Sequence, residues 1–134
     1  MTLDGPDNPI RYEVSGGIAL IRMERPPVNA LDLHMVRAAI AAFRRAADDD
    51  AVRAVVLASA VAKRFCAGLD IVGLVGKSPE QIRTLVHELY VGVSEAQYRL
   101  GKPSIAADRH RQCPRRTYKS RIQSPRNQNF AKLI

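Results

Sequence analysis

Residues Phe65-Cys66-Ala67-Gly68-Leu69-Asp70-Ile71 constrain the fold of this chain more than any other stretch. They follow an apolar run, Ala54-Val55-Val56-Leu57-Ala58, which lacks polar alternation and so reads as a strand covered on both faces. An apolar helical pattern resumes after them. Gly68 accepts backbone angles closed to other residues and lets a ligand approach the main chain. The N–H of Leu69 follows it directly. At a helix start, that N–H would face a developing negative charge and suit stabilisation of an oxyanion.

The rest of the body reads as strands and helices in alternation, an α/β pattern. Ile10-Arg11-Tyr12-Glu13-Val14 alternates, Gly16-Gly17 turns, and Ile18-Ala19-Leu20-Ile21 resumes, which predicts a hairpin. Arg25-Pro26-Pro27 ends the second strand, because proline cannot donate to a ladder. A helix is expected from Asp32 to Ala47, with Leu33, Val36, Ile40, Phe43 and Ala47 as its apolar stripe. Asp48-Asp49-Asp50 terminates it, although acids there oppose the helix dipole. Ser78, Pro79 and Gln81 form a capping box for a further helix, whose expected buried face is Ile82, Leu85, Val86, Leu89, Val93 and Ala96. Gly101 stops it, and Ser104-Ile105-Ala106-Ala107 reads as a short fourth strand.

Charge divides the chain. Residues 1–108 carry 13 basic and 13 acidic side chains, whereas residues 109–134 carry 8 basic ones and no acid. The whole net charge of +8 therefore resides in the last segment. Arg, Gln, Ser, Pro and Asn dominate there and apolar periodicity stops, so residues 109–134 are expected to be a disordered basic tail. The Ala-, Val-, Arg- and Asp-rich body suits GC-rich coding sequence, and such DNA read out of frame yields Arg, Pro and Ser. A frameshift near Ala107 or Asp108 accounts for the change. Cys66 and Cys113 have neither metal-ligand spacing nor a disulfide framework, which fits a reduced cytoplasmic setting with no metal. The start, Met1-Thr2-Leu3-Asp4-Gly5-Pro6, lacks the features of a signal peptide, and no apolar run is long enough to span a bilayer.

Pro27-Val28-Asn29-Ala30-Leu31, then a helix and a strand, then Phe65 to Ile71, resemble the crotonase superfamily, the enoyl-CoA hydratase/isomerase group. The Pro-Pro-Val-Asn-Ala and Ala-Gly-Leu-Asp pattern, with Gly76-Lys77-Ser78-Pro79 after it, is most similar to the Δ3,Δ2-enoyl-CoA isomerase branch. Lys102-Pro103-Ser104-Ile105-Ala106-Ala107 resembles the strand that leads into the second half of such a site. The resemblance covers residues 10 to 107. It implies a partial crotonase-like fold of ββα units over residues 1–108, the N-terminal part of the domain.

The resemblance also implies roles. The Leu69 N–H would be the first oxyanion-hole donor, holding the thioester oxygen of an acyl-CoA. Pro27, Val28 and Ala30 would line the CoA groove. Ala67 and Gly68 would pass close to the pantetheine and adenine end, and Asp70 would orient the turn and helix start. CoA would arrive as part of the substrate, with no separate cofactor. Members of the family usually assemble as trimers or hexamers.

One departure is large. The family follows its Lys-Pro-x-Ile-Ala-Ala strand with an Asn-Gly and a glycine-rich turn that supplies the second donor, with acid/base glutamates on or beyond it. Here Asp108-Arg109-His110-Arg111-Gln112-Cys113 follows. The chain therefore reads as truncated, and weakly active or inactive. The assembling elements are missing with the rest.

Blander readings stand beside these. Phe65–Ile71 alone is also an ordinary glycine turn, Asp70 a helix cap, Cys66 a buried structural thiol, and His34 and His87 surface residues. The basic tail shows no interleaved aromatic pattern for specific nucleic-acid binding. An alternative from another class is a non-enzymatic interaction protein whose tail binds an acidic partner. A third is a site completed by another chain. Acyl chain length, and hydration against isomerisation, stay open.

Overall fold

In the computed structural model, residues 5 and 7–108 are described. The expectation of a disordered, partner-binding basic tail over 109–134 lies outside the described residues. The hairpin forms as the sequence predicts: β1 (Ile10–Ser15) pairs antiparallel with β2 (Ile18–Met23). Gly16 and Gly17 make the turn with φ of 59° and 81°, a pair of left-handed positions that glycine fills without strain. α1 (Leu33–Asp48) then crosses to β3 (Ala54–Ser59), which lies parallel to β2 with Ala19 beside Val55 and Ile21 beside Leu57. β4 (Ser104–Ala107) adds in parallel on the far side of β3, so the sheet order is β1-β2-β3-β4.

The core forms between one face of this sheet and α1. Ala19, Ile21, Met23, Val55 and Leu57 cluster there with Met35, Val36, Ile40 and Phe43. Asp32 caps α1, its side chain accepting from the Met35 N–H at 2.8 Å. The buried stripe of α1 is wider than predicted. Met35, Ala38, Ala42 and Ala46 join Val36, Ile40 and Phe43, while Leu33 and Ala47 sit at its margins.

The acidic end of α1 is offset by a residue from far along the chain. The Lys102 ammonium donates to the carbonyl oxygens of Ala46, Ala47 and Asp49 at 2.6, 3.1 and 2.7 Å. A cation there satisfies orphan carbonyls and complements the dipole.

Between β3 and β4 the chain forms α2 (Ile71–Leu74), α3 (Pro79–His87) and α4 (Val93–Arg99). The predicted capping box of α3 is present, with Ser78 and Gln81 bonded reciprocally. The single long helix of the sequence reading is interrupted, because Glu88–Gly92 widen into a π-helical turn between α3 and α4. Gly92 lies against α1 there, and a Cβ on it would stand 2.9 Å from Ile40 Cδ1. The buried seam is accordingly narrower than expected. Leu85, Val93, Ala96 and Leu100 are buried, Ile82 and Leu89 are half-buried, and Val86 is exposed.

β3 also departs from expectation. Val55 and Leu57 are buried, but Ala54, Val56 and Ala58 are only half-buried, so one face is closed and the other partly open among the described residues. Ile105 stands beside Val56 in the ladder and is 61% exposed. Among the described residues no helix is long and apolar enough to cross a membrane.

Candidate functional site

Two loops, each leaving the C-terminal end of a strand, are joined along a seam. The first follows β2. Arg25 to Asn29 fold into a turn in which the Asn29 N–H donates to the Arg25 carbonyl at 2.8 Å and Asn29 Oδ1 accepts from the Arg25 N–H at 2.8 Å. The Pro26–Pro27 peptide is cis. Asn29 has φ of 53°, a left-handed conformation that asparagine tolerates better than most residues with a Cβ. Its side chain is fully buried, and Nδ2 donates to Ser59 Oγ at 2.8 Å and to the Phe65 carbonyl at 2.9 Å.

From that point the loops run side by side. The Ala67 N–H donates to the Val28 carbonyl at 3.0 Å, and Cys66 Sγ contacts the Asn29 carbonyl at 3.2 Å. The Leu31 N–H donates to the Gly68 carbonyl at 2.7 Å, and the Asp70 N–H donates back to the Leu31 carbonyl at 3.0 Å. Leu31 and Leu69 thus form a parallel bridge. The groups on either side of Leu69 point at Leu31, so its own N–H leaves the opposite edge of the backbone. Among the described residues no acceptor is paired with that N–H.

The seam brings together Val28, Ala30, Ala67, Gly68, Leu69 and Asp70, and Pro27 lies exposed in the adjoining turn. Gly68 has φ of 89°, and a Cβ built on it would meet nothing within 4 Å. The backbone therefore demands glycine while the space beside it stays open. Asp70 caps α2, its Oδ1 accepting from the Gly73 N–H at 2.9 Å. Oδ2 accepts from Arg25 Nη2 at 2.7 Å. The Gly73 N–H, and then the Arg25 guanidinium, hold the Asp70 carboxyl below the usual carboxylate range.

Two details of the sequence reading change. Leu69 precedes the Asp70 cap instead of opening the helix, and α2 has only 4 residues, so its dipole is small. The bridge to Leu31, not a helix, orients the N–H. Cys66 is half-buried rather than buried, and the Gly68 N–H lies 3.4 Å from its sulfur. His34 and His87 are exposed, as expected. Among the described residues no cluster of metal-ligating side chains occurs. Two surface depressions, one beside Arg83 and Thr84 on α3 and one beside Arg44 and Arg99 between α1 and α4, lie away from the seam.

Sequence reasoning gave no role to Asn29 or to the Arg25 side chain. A signal was present for Asn29, since an asparagine two residues after Pro26-Pro27 is a natural left-handed turn former. None was present for Arg25, whose partner Asp70 lies 45 residues away.

Residues 13–108 match the model of the family described as enoyl-CoA hydratase/isomerase. The chain belongs to that family. A probable enoyl-CoA hydratase of Rhodobacter capsulatus is 36% identical over 99 residues, covering 73% of this chain and 37% of the relative. The mitochondrial enoyl-CoA delta isomerase 1 of Rattus norvegicus is 31% identical over 70 residues, 52% of this chain and 24% of the relative. The crystal structure of an enoyl-CoA hydratase from Bacillus anthracis superposes with a TM-score of 0.67 at 26% identity, over 73% of this chain and 38% of that one. The chain thus spans well under half the length of these relatives. Its architecture is the N-terminal part of a crotonase-like fold.

Proposed function

We propose that the chain handles acyl-CoA thioesters as a member of the hydratase/isomerase family, with the Leu69 N–H as an oxyanion donor. The observation that carries this reading is the Leu31–Leu69 bridge, which fixes the Leu69 peptide while leaving its N–H unpaired among the described residues. A thioester carbonyl accepting from that N–H gains most when its oxygen becomes enolate-like, because a preorganised donor needs no reorganisation as charge develops. Val28, Ala30 and Pro27 line one wall of the acyl-CoA groove. Ala67, Gly68 and Asp70 form the other, and the open space beside Gly68 supports passage of the ligand there. CoA is part of the substrate, and no separate cofactor is required.

The chain by itself turns over weakly or not at all in this reading. Its described residues offer one positioned donor, and loss of a second typically costs about 10²–10³ in rate. The Asp70 carboxylate is committed to Gly73 and Arg25, which removes it as a general base worth roughly 10²–10⁴. The family match and the balanced charge both stop at Asp108, which supports a change of reading frame close to that codon. The free thiol of Cys66 fits the cytoplasmic setting proposed with it.

Titration of the full chain with butyryl-CoA at moderate salt tests the site, since salt screens attraction of CoA phosphates to the basic segment. Wild type is expected to bind weakly and to move the thioester carbonyl stretch to lower wavenumber. Leu69→Pro, which removes the N–H, is expected to abolish the shift, and Gly68→Val to weaken binding. Equal affinity and an unchanged carbonyl in all three chains would overturn the reading. Saturable turnover of enoyl-CoA well above background would overturn the activity assignment.

A further inference from the structure

We infer that Arg25 is a positioning residue for the Leu69 N–H, holding the seam at both ends of the Leu31–Leu69 bridge. The inference rests on the reading that Leu69 faces the thioester. Arg25 Nη1 donates to the Ala30 carbonyl at 2.8 Å, directly before Leu31. Nη2 donates to Asp70 Oδ2 at 2.7 Å, directly after Leu69, and lies 3.2 Å from Asp32 Oδ2. Asp70 is the cap of α2 and Asp32 the cap of α1. One guanidinium therefore joins the starts of two helices and the residues flanking the bridge.

The base of the side chain is anchored as well. Its N–H is held by Asn29 Oδ1 and its carbonyl accepts from the Asn29 N–H. The Arg25 side chain is 31% exposed and that of Asp70 is 21% exposed, so the pair is sheltered and belongs to a network. Such geometry distinguishes it from an isolated surface ion pair, which contributes little.

Gly68 explains why such a hold matters. With its φ of 89° and no neighbour within 4 Å of a Cβ, Gly68 offers no side-chain packing to steady the Gly68–Leu69 peptide plane, which is held through the Leu31 bond to the Gly68 carbonyl and so through the alignment of the bridge. Rotation of that plane re-aims the Leu69 N–H, and a misplacement of about 1 Å at a reacting centre costs on the order of 10² in rate. Tethering Asp70 limits the rotation from the other side. Lysine cannot substitute, because a point ammonium does not present the rigid fork that reaches a carbonyl and two carboxylates at once. The same three acceptors occupy the guanidinium, which argues against a direct role in binding CoA phosphate.

The test compares wild type, Arg25→Met and Arg25→Lys in the full chain by amide hydrogen exchange and by the carbonyl stretch of bound butyryl-CoA. In Arg25→Met the Leu31 and Asp70 amides are expected to exchange about tenfold faster or more, while amides of the β2–β3 ladder change little. Bound thioester should then lose most of its carbonyl shift at saturation, with Arg25→Lys intermediate. Should Arg25→Met not fold, Asp70→Asn replaces it: asparagine keeps the cap and breaks only the ion pair. Unchanged exchange at Leu31 and Asp70 overturns the inference. So does loss of butyryl-CoA binding with those amides unchanged, which would make Arg25 a ligand contact. A wild-type chain that shows no carbonyl shift removes the Leu69 reading instead, and the exchange arm still decides whether Arg25 holds the seam.

Discussion

The side-chain amide of Asn29 donates to the main-chain carbonyl of Phe65 at 2.9 Å, across 36 residues of sequence. That bond is the first fastening between the two loops that carry the family motifs. Asn29→Ala leaves the Arg25 N–H and the Phe65 carbonyl without their partner and puts alanine at a positive φ that asparagine tolerates better. The expected loss is about 2–4 kcal/mol, from orphaned buried groups and backbone strain. Urea unfolding followed by circular dichroism measures it. A change under roughly 0.5 kcal/mol, the usual range for surface substitutions, would show that the seam closes without Asn29.

Asp70 gives the site an acid dependence whose direction is fixed. Its folded carboxyl titrates below the ordinary 3.8 because the Gly73 N–H, then Arg25, favour the charged form. The stabilisation is thus fully present above the unfolded value and is lost as pH falls through the folded one. The Gly73 amide shift, followed by NMR from neutral pH downward, should titrate with a midpoint below 3.8. A midpoint at or above that value contradicts the cap geometry. Asp70→Asn should abolish the transition.

Tyr12 is an unfavourable partner in the core. Its buried hydroxyl has no hydrogen-bond partner among the described residues, while the Arg45 guanidinium lies 4.4 Å from the ring centroid. Tyr12→Phe keeps the ring contact and removes the orphan, so stability is expected to stay equal or rise by up to about 1 kcal/mol. Burial chiefly, and Asp49, push the phenol up, against the opposing pull of Arg45. The folded chain therefore keeps this proton where an unfolded tyrosine releases it, and stability should fall as pH climbs past 10.0. The Tyr12→Phe variant should lack that part of the alkaline loss in a pH series of urea melts.

β4 presents an open edge. It pairs only with β3 among the described residues, and Ile105, Ala106 and Ala107 are exposed along it. An unpaired apolar edge recruits further strands. Self-association that rises with concentration is expected in sedimentation velocity, and Ile105→Lys should reduce it. A monodisperse monomer at all concentrations would show that the edge is harmless.

The sequence was readable where the signal was local. The Gly16–Gly17 hairpin, the Ser78–Gln81 capping box and the Gly101 stop each depend on neighbours a few residues apart, and each forms. The two motif loops were readable as a pair, although not how they join. Asn29 reaches Ser59 and Phe65, and Arg25 reaches Asp70, over separations that no periodicity encodes. The π-helical turn was hidden for a similar reason, since it accompanies the close approach of Gly92 to Ile40 on another helix. The open second face of β3 depends on what packs beyond the sheet, to which an unbroken apolar run is blind.

Lys102 has a further consequence for the order in which this fold assembles. Its contacts bridge 53 to 56 residues, so the ammonium finds its acceptors only after α1 has formed and the chain has closed a long loop back onto it. Loop-closure entropy therefore disfavours early docking of β4, whose entry is clasped by one amine at the rim of α1. Neutralising that amine loosens the clasp and frays the last turn of α1 while leaving the hairpin alone, so that β4 is held by its ladder to β3 without the anchor at its entry.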